Sequence, residues 1–396
     1  MDGYTWKGKV LTAHYAKPAH DPLYKKRKQE DETPDGNKNK KPRNAEQSSE
    51  PLGDLNYEEQ LEIKQKKIVD VLKQFKIELK RANDIQRRTV RMSDELICEL
   101  RPIIRSPSTE GYRNKCEFTV GKNEDGEIQV GNRLSTYASG CTSVGNIEKL
   151  KMPTEKMKET AKLLRPFVVD SGLQPFDSET YQGEFRNITI RQTHNMMMLI
   201  IGIHPQDLTD EEKTKLQNSF VEYFTEGPGK ILNVTSIYYE EIQKRQSGQQ
   251  GNFIKHIFGE THIKESLLGL SFRISPNSFF QANTLAAEKL YEVALELANV
   301  NKETIVLDIC CGTGTIGLCF AKHCKHVYGM EIIPEAIEDA KVNAKENCIE
   351  NSTFAAGNAD DLIFSMVKQA TLYKTEEIVA IVDPPRAGLQ VSLFNN

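Results

Sequence analysis

No part of the sequence approaches the ~20 consecutive apolar residues that a membrane-spanning helix requires, so no membrane partner is expected. The opening residues, 1–9, are mixed and polar and lack the apolar core of a secretory signal. Eight cysteines are present without the paired C-x-x-C spacing of zinc sites; no metal is expected, and the thiols read as those of a reducing, intracellular protein. Nor is there an excess of positive charge: 52 Lys and Arg stand against 56 Asp and Glu, a net charge of −4. A surface for a polyanion must therefore be a local patch and not a whole-molecule field. With 38% hydrophobic residues, the 396-residue chain has room for two or three domains.

Against these absences one stretch organises the rest. Residues 304–309, Thr-Ile-Val-Leu-Asp-Ile, are β-branched and aliphatic and predict a buried parallel strand. Gly312, Gly314 and Gly317 then turn the chain into a helix beginning near Thr315, and a second strand, 326–330, ends on Glu331. Strand, glycine turn, helix, strand and acid make one nucleotide-binding βαβ unit, whose carboxylate accepts hydrogen bonds from ribose hydroxyls. The spacing Gly312-x-Gly314-x-x-Gly317 with an acid 14 residues later also satisfies the dinucleotide pattern, which several nucleotide-binding classes share. Two details favour a methyl donor over a nicotinamide. Asp308, inside the end of the first strand, places a carboxylate where an amino-acid-bearing cofactor carries its ammonium. Residues 378–382, another buried strand, run into Asp383-Pro384-Pro385-Arg386, a strand end suited to holding a planar base beside S-adenosylmethionine.

Upstream, residues 7–18 read as a single strand, either the tail of an RNA-recognition motif or an ordinary leader. Residues 24–51 are polar, with basic clusters at 25–28 and at Lys38, Lys40, Lys41 and Arg43; the stretch is a solvated linker, a nuclear-import signal or a loose phosphate tether. From Tyr57 to Asn83 there is no Gly or Pro, and Leu61, Ile68, Leu72, Phe75 and Leu79 recur at helical spacing; this stripe is expected to pack on the following domain. Strands follow, with hairpins predicted around the Asn123-Glu124-Asp125-Gly126 turn and around Thr193-His194-Asn195, a helix at 153–167, a strand at 230–240 and a Gly/Gln loop at 244–252. Arg101, Arg105, Arg113, Lys115 and Arg133 lie near the first hairpin and are the local candidates for phosphate contacts. Next come Phe279, Phe280 and Gln281, an amide beside apolar rings, and Asn283, a cap for a helix expected to bury Ala286, Leu290, Val293, Ala294 and Leu297.

Taken together, Ser-Phe-Phe-Gln-x-Asn at 278–283, Leu-Asp-x-x-Cys-Gly-x-Gly at 307–314 and Asp-Pro-Pro-Arg at 383–386, in that order, resemble the uracil-C5 RNA methyltransferase family. Residues 111–118 look like that family's opening central strand. The resemblance covers almost the whole chain. It implies an α/β protein: a Rossmann-like class I methyltransferase domain over 271–396, preceded by a separate α/β central RNA-binding domain over 101–270, a helical segment at 54–100, a disordered basic linker at 21–53 and a motif remnant at 1–20. It implies methylation of uridine C5 in RNA, foremost tRNA uridine 54, in the nucleus and cytoplasm. Residue by residue, S-adenosylmethionine would meet Gln281, Asp308, Cys310, Gly312, Thr315, Glu331 and Asp383, with Asn358 beside the adenine. Thr315 departs from relatives that carry asparagine there.

Uracil C5 is a poor nucleophile. The family adds a cysteine thiolate to C6 and later removes the C5 proton with a base. No cysteine follows Cys348, and Cys310 and Cys311 sit in the cofactor turn, on the wrong side of the base. The nucleophile and base are therefore expected beyond residue 396, and the chain reads as carboxyl-truncated, without turnover; the alternative is a non-catalytic RNA-binding form. Only about four of the seven strands of such a sheet are found, so 378–382 is expected to be an exposed apolar edge in a carboxyl half of low stability.

Overall fold

The computed structural model describes residues 5–6, 9–10, 48–81, 96–134, 142–242, 252–372, 377–384 and 388. The two basic clusters, most of the expected amino-terminal strand, nearly all of the Gly/Gln loop and residues 385–386 lie outside them. The chain divides into two units, Met1–Arg43 and Asn44–Asn396. In the first, β1 (Thr5–Trp6) pairs antiparallel with β2 (Lys9–Val10).

The second unit begins with helix α1 (Tyr57–Arg81). Its stripe was expected to be covered, and it is covered only in part. Leu61 is buried, but Ile68 and Phe75 are each 47% exposed. Periodicity reports which face of a helix is apolar; it does not report whether a surface lies opposite.

A seven-stranded sheet follows, in the order β5-β4-β3-β6-β7-β8-β9. Its strands are β3 (Lys115–Lys122), β4 (Ile128–Arg133), β5 (Val144–Gly145), β6 (Phe185–Gln192), β7 (Met197–Ile203), β8 (Ser236–Glu241) and β9 (Phe253–Gly259). Only β7 and β8 pair in parallel. The predicted first hairpin turns where the Asn123 Oδ1 accepts from the Asp125 and Glu127 backbone N–H groups, at 3.0 and 2.9 Å. The strand expected from residue 230 starts instead at Ser236, because Pro228 opens a 3-10 turn over Pro228–Leu232. Helices α2 (Glu155–Ser171) and α3 (Asp210–Thr225) cover one face, packing Leu164, Phe167, Phe220 and Phe224 on Phe118, Ile188, Ile190, Leu199 and Ile201. Every residue of β7 is buried, because Met198 and Ile200 on its other face meet a hairpin, β10 (Ile263–Leu267) and β11 (Leu270–Ile274).

That second core continues into the carboxyl half, joining Leu267 and Phe272 of the hairpin to Ile337, Ala340 and Phe354. There α4 (Thr284–Ala298) leads to a four-stranded parallel sheet in the order β14-β13-β12-β15. Its strands are β12 (Ile305–Ile309), β13 (His326–Glu331), β14 (Ser352–Ala356) and β15 (Ile378–Val382), joined through α5 (Thr315–Ala321), α6 (Pro334–Glu346) and α7 (Ala359–Leu372). Strand β15 lies at the edge of the described sheet, with Ile378 and Val382 exposed. Asn283 caps α4 as expected, its Oδ1 accepting from the Ala286 N–H at 3.0 Å. The buried face of that helix is rotated by one residue from the expected one: Ala287 and Tyr291 are buried, while Leu290 and Leu297 are exposed.

The exposed part of the stripe and the filled core give opposite expectations. Phe75→Gln should change unfolding free energy by no more than about 0.5 kcal/mol. Phe220→Ala, in the core between the helices and the sheet, should lower it by about 3–5 kcal/mol. Denaturant melts of the two variants check both values.

Candidate functional site

Parallel strands open their carboxyl ends on one rim, and β12, β13 and β15 are in register there: Ile309 is opposite both Met330 and Val382. Cys310, Glu331 and Asp383 therefore emerge side by side. Cys310, Gly312 and Gly314 take φ values of 64°, 55° and 77°, which reverse the chain into α5. A Cβ added at Gly312 would meet no atom within 4 Å, so the turn faces open space. At Gly317 a Cβ would lie 2.8 Å from the Asp308 Oδ2, and only glycine lets the helix close on that carboxyl.

Asp308 is fully buried beneath the turn. Its Oδ2 accepts from the Gly317 N–H at 2.8 Å, and its Oδ1 has no partner among the described residues. Burial pushes the Asp308 carboxyl up to about 7 against the pull of the Gly317 N–H, with the carboxylates of Asp383 and Glu331 adding to the rise. Asp308 was expected beside a ligand ammonium; it lies beneath the turn and holds it from below through the Gly317 N–H.

Glu331 holds it from the side. One carboxylate oxygen accepts from the Gly312 N–H at 3.1 Å; the other accepts from Ile332 and Ile333 at 2.8 and 3.2 Å. About one of its four acceptor sites remains for a further donor. Thr315 is buried, its hydroxyl 3.1 Å from that of Thr313. Asn358 is exposed and follows Gly357, whose N–H donates to the Glu331 carbonyl at 2.8 Å. Asp383 is exposed one residue past β15.

Gln281 reaches the same rim from another direction. Its carbonyl accepts from Asn114 Nδ2 at 2.8 Å, and its amide makes a polar contact with the Tyr291 hydroxyl of α4. Burial raises the pKa of that hydroxyl, and the Cys319 thiol and the carboxylates of Asp383 and Asp308 act in the same direction. Tyr291 thus stands within the field of the strand-end carboxylates beside Gln281. Phe279, two residues before Gln281, is 70% exposed.

Sequence reasoning missed Tyr291, Asn114 and Asn343. The last is wholly buried on α6 and donates from Nδ2 to the Thr313 carbonyl of the turn at 3.1 Å. An asparagine among Ala336, Ile337, Ala340 and Ala344 on a buried helix face was the available signal. Tyr291 carried none, since an aromatic residue on such a face reads as core.

Neither cysteine of the turn suits nucleophilic work. Burial raises the pKa of both thiols, and the neighbouring carboxylates of Glu331 and Asp308 raise both further, as does that of Asp383 for Cys310. The rim favours positive charge and disfavours thiolate.

A parallel sheet with this glycine turn, closing acid and open rim defines a class I methyltransferase fold. The solved structure of Pyrococcus abyssi tRNA (uracil-54, C5)-methyltransferase in complex with S-adenosyl-L-homocysteine matches it with a TM-score of 0.58 at 23% identity, covering 86% of this chain and 71% of that one. A family model described as tRNA (Uracil-5-)-methyltransferase matches residues 254–395. Human tRNA (uracil-5-)-methyltransferase homolog B is 40% identical over 350 residues, 87% of this chain and 68% of the relative. The human homolog A protein is 39% identical over 399 residues, 98% of this chain and 62% of that relative's length. The chain belongs to the tRNA (uracil-5-)-methyltransferase family, and it spans about three-fifths of the homolog A relatives it matches.

The buried carboxyl sets a pH dependence. Because the folded value of Asp308, about 7, lies above the ordinary 3.8, the folded chain binds a proton that the unfolded chain has released between those limits. This contribution to stability is therefore full below about pH 4 and is lost as pH rises through about 7. Asp308→Asn should flatten that decline and melt above the wild type at pH 8. Thermal melts across the range check it, and parallel slopes for the two proteins would refute the assignment.

Proposed function

We propose that this chain binds S-adenosylmethionine at the carboxyl rim of its parallel sheet and acts on tRNA uracil C5, with uridine 54 as the target base. The observation that carries the reading is the charge and openness of the glycine turn. Glu331 and Asp383 flank it, Gly312 faces open space, and the Gly312 N–H that a pyrophosphate would need is donated to Glu331. Helix α5, at seven residues, adds little dipole for an anion. An anionic rim suits a ligand carrying ammonium and sulfonium charges and repels a dinucleotide pyrophosphate.

In this reading Glu331 holds ribose hydroxyls with its remaining acceptor site, and Asn358, beside it, borders the adenine. Cys310 and Gly312 line the turn through their backbone, and Asp383 faces the cationic end of the ligand. Asp308 and Thr315 act from within, keeping the turn in shape. Gln281, fixed by Asn114 and Tyr291, presents its amide next to the exposed ring of Phe279, an apolar face and a polar edge for a pyrimidine. S-adenosylmethionine supplies an electrophilic methyl group when bound. The thiolate that adds to C6 and the base that takes the C5 proton are assigned to none of the described residues, since the carboxylates around Cys310 and Cys311 oppose a thiolate there. The human relatives' names support tRNA as the substrate and C5 of uracil as the methylated carbon.

Isothermal titration of the chain with S-adenosylhomocysteine tests the reading. Binding is expected, with Glu331→Ala and Asp383→Ala each about tenfold weaker, and no heat with a nicotinamide dinucleotide. Dinucleotide binding without binding of S-adenosylhomocysteine would overturn it.

A further inference from the structure

The sheet face that meets the β10–β11 hairpin also carries a charge pairing that protein stability alone disfavours. Lys115 on β3 stands directly opposite Arg191 on β6 in an antiparallel pair, so their side chains project from the same face. Like charges in that position are destabilising. Arg191 is only 3% exposed; its Nη2 donates to the Ser278 and Pro276 carbonyls at 2.5 and 3.2 Å, and its Nε has no partner among the described residues. Burial lowers the Arg191 guanidinium pKa to about 10, and it stays charged at neutral pH. Burial, and then Arg191 itself, also lower the pKa of Lys115.

The carboxylates of Glu117 and Glu240 act in the opposite direction on Lys115, but less than burial and Arg191, and each is hydrogen-bonded to another side chain. Glu117 accepts from Asn187 Nδ2 at 2.7 Å, and Glu240 accepts from Asn252 Nδ2 at 2.9 Å. Of the five cations near the first hairpin, Arg101 is paired with Glu296 and Arg105 with Glu58, while the Arg113 Nε donates to the Lys115 carbonyl at 3.0 Å. Among the described residues the Lys115 ammonium has no hydrogen-bonding or ion-pair partner. The pair also borders the segment that carries Phe279 and Gln281: Arg191 holds residues 276 and 278, and Asn114, next to Lys115, holds Gln281 and Ala282.

We propose that Lys115, backed by the field of Arg191, is a phosphate site for the RNA, gripping the backbone next to the nucleotide presented to Phe279 and Gln281. The half-buried lysine makes the contact; the buried arginine raises the local potential and cannot be reached. An anion there removes the repulsion that the free sheet carries. The proposal rests on the tRNA reading above and adds a specific grip to it.

Lys115→Met in the full chain separates the outcomes. Binding of an unmodified tRNA transcript, followed by fluorescence anisotropy over a salt series, should weaken about tenfold, with the slope of log affinity against log salt reduced by about one. The melting temperature should hold or rise, because a like-charge pair has been relieved. Lys215→Met, on α3, is the comparison and should leave the salt slope unchanged. An unaltered slope for Lys115→Met, or a lowered melting temperature, overturns the phosphate site while S-adenosylhomocysteine binding leaves the function standing. Failure of the wild-type chain to bind the transcript at all overturns both.

Discussion

Strand β11 has only one bonded edge, and the carboxyl half depends on how the other is satisfied. Its partner β10 lies on one side; on the other, helix α6 supplies side chains in place of a strand. Asn347, just past the helix end, accepts from the Ser271 N–H at 2.8 Å and donates to the Ser271 carbonyl at 2.7 Å. Asn343 accepts from the Arg273 N–H at 2.7 Å, and Asp339 accepts from the Ser275 hydroxyl at 3.0 Å. Residues spaced by four on a helix match alternate residues of a strand, since 6 Å of helix rise meets about 6.6 Å of strand. Unpaired buried backbone groups are costly, so this side-chain edge is a structural requirement and not an ornament. Because Asn343 also holds the Thr313 carbonyl, the ladder that closes the hairpin ends inside the glycine turn. The large sheet, the hairpin and the turn are thereby joined into one body.

That joining places two fields of opposite sign on either side of one short segment. Glu331 and Asp383 make the parallel-strand rim negative, whereas Lys115 and Arg191 make the adjoining sheet face positive. Residues 276–282 run between them, held by Arg191 and Asn114 from the sheet and by Tyr291 from α4. Under the proposed function the arrangement sorts the two ligands by charge before any base-specific contact is made. A sulfonium donor is drawn to one side and a polyanion to the other, and the segment that carries Phe279 and Gln281 is where they meet.

The nucleotide-binding unit was legible because each of its parts has a local cause. Apolar runs made β12, β13 and β15, glycines marked the turn, and Glu331 closed it, all within a span that needs no distant partner. The hairpin turn at residues 123–126 was legible for the same reason, its Asn123 side chain bonding its own backbone. What escaped depends on distant packing. The rotation of α4 buries Ala287 and Tyr291 in place of Leu290, a choice between adjacent apolar faces that periodicity does not make. The hairpin β10–β11 was not read from the sequence at all, because its second edge is completed by side chains of the distant helix α6. Asp308 was found as a residue but its burial was not, because a carboxylate at a strand end looks open, and only the closure of α5 through Gly317 shows that it is enclosed.

Buried or crowded charges in this chain follow one rule. Where a charge serves the fold it is neutralised or bonded: Asp308 takes a proton near neutral pH and the Gly317 N–H, and Asp339 has both Ser275 and Arg273. Lys115 breaks the rule: among the described residues its ammonium has no bonded partner, and the Arg191 guanidinium opposite it raises its cost. Stability alone would replace it, as a neutral residue at position 115 relieves the repulsion. A pairing that weakens the free protein persists where its cost is recovered in a bound state. The cation pair, lying beside the one segment that faces both fields, is thus better explained by what binds the chain than by what folds it.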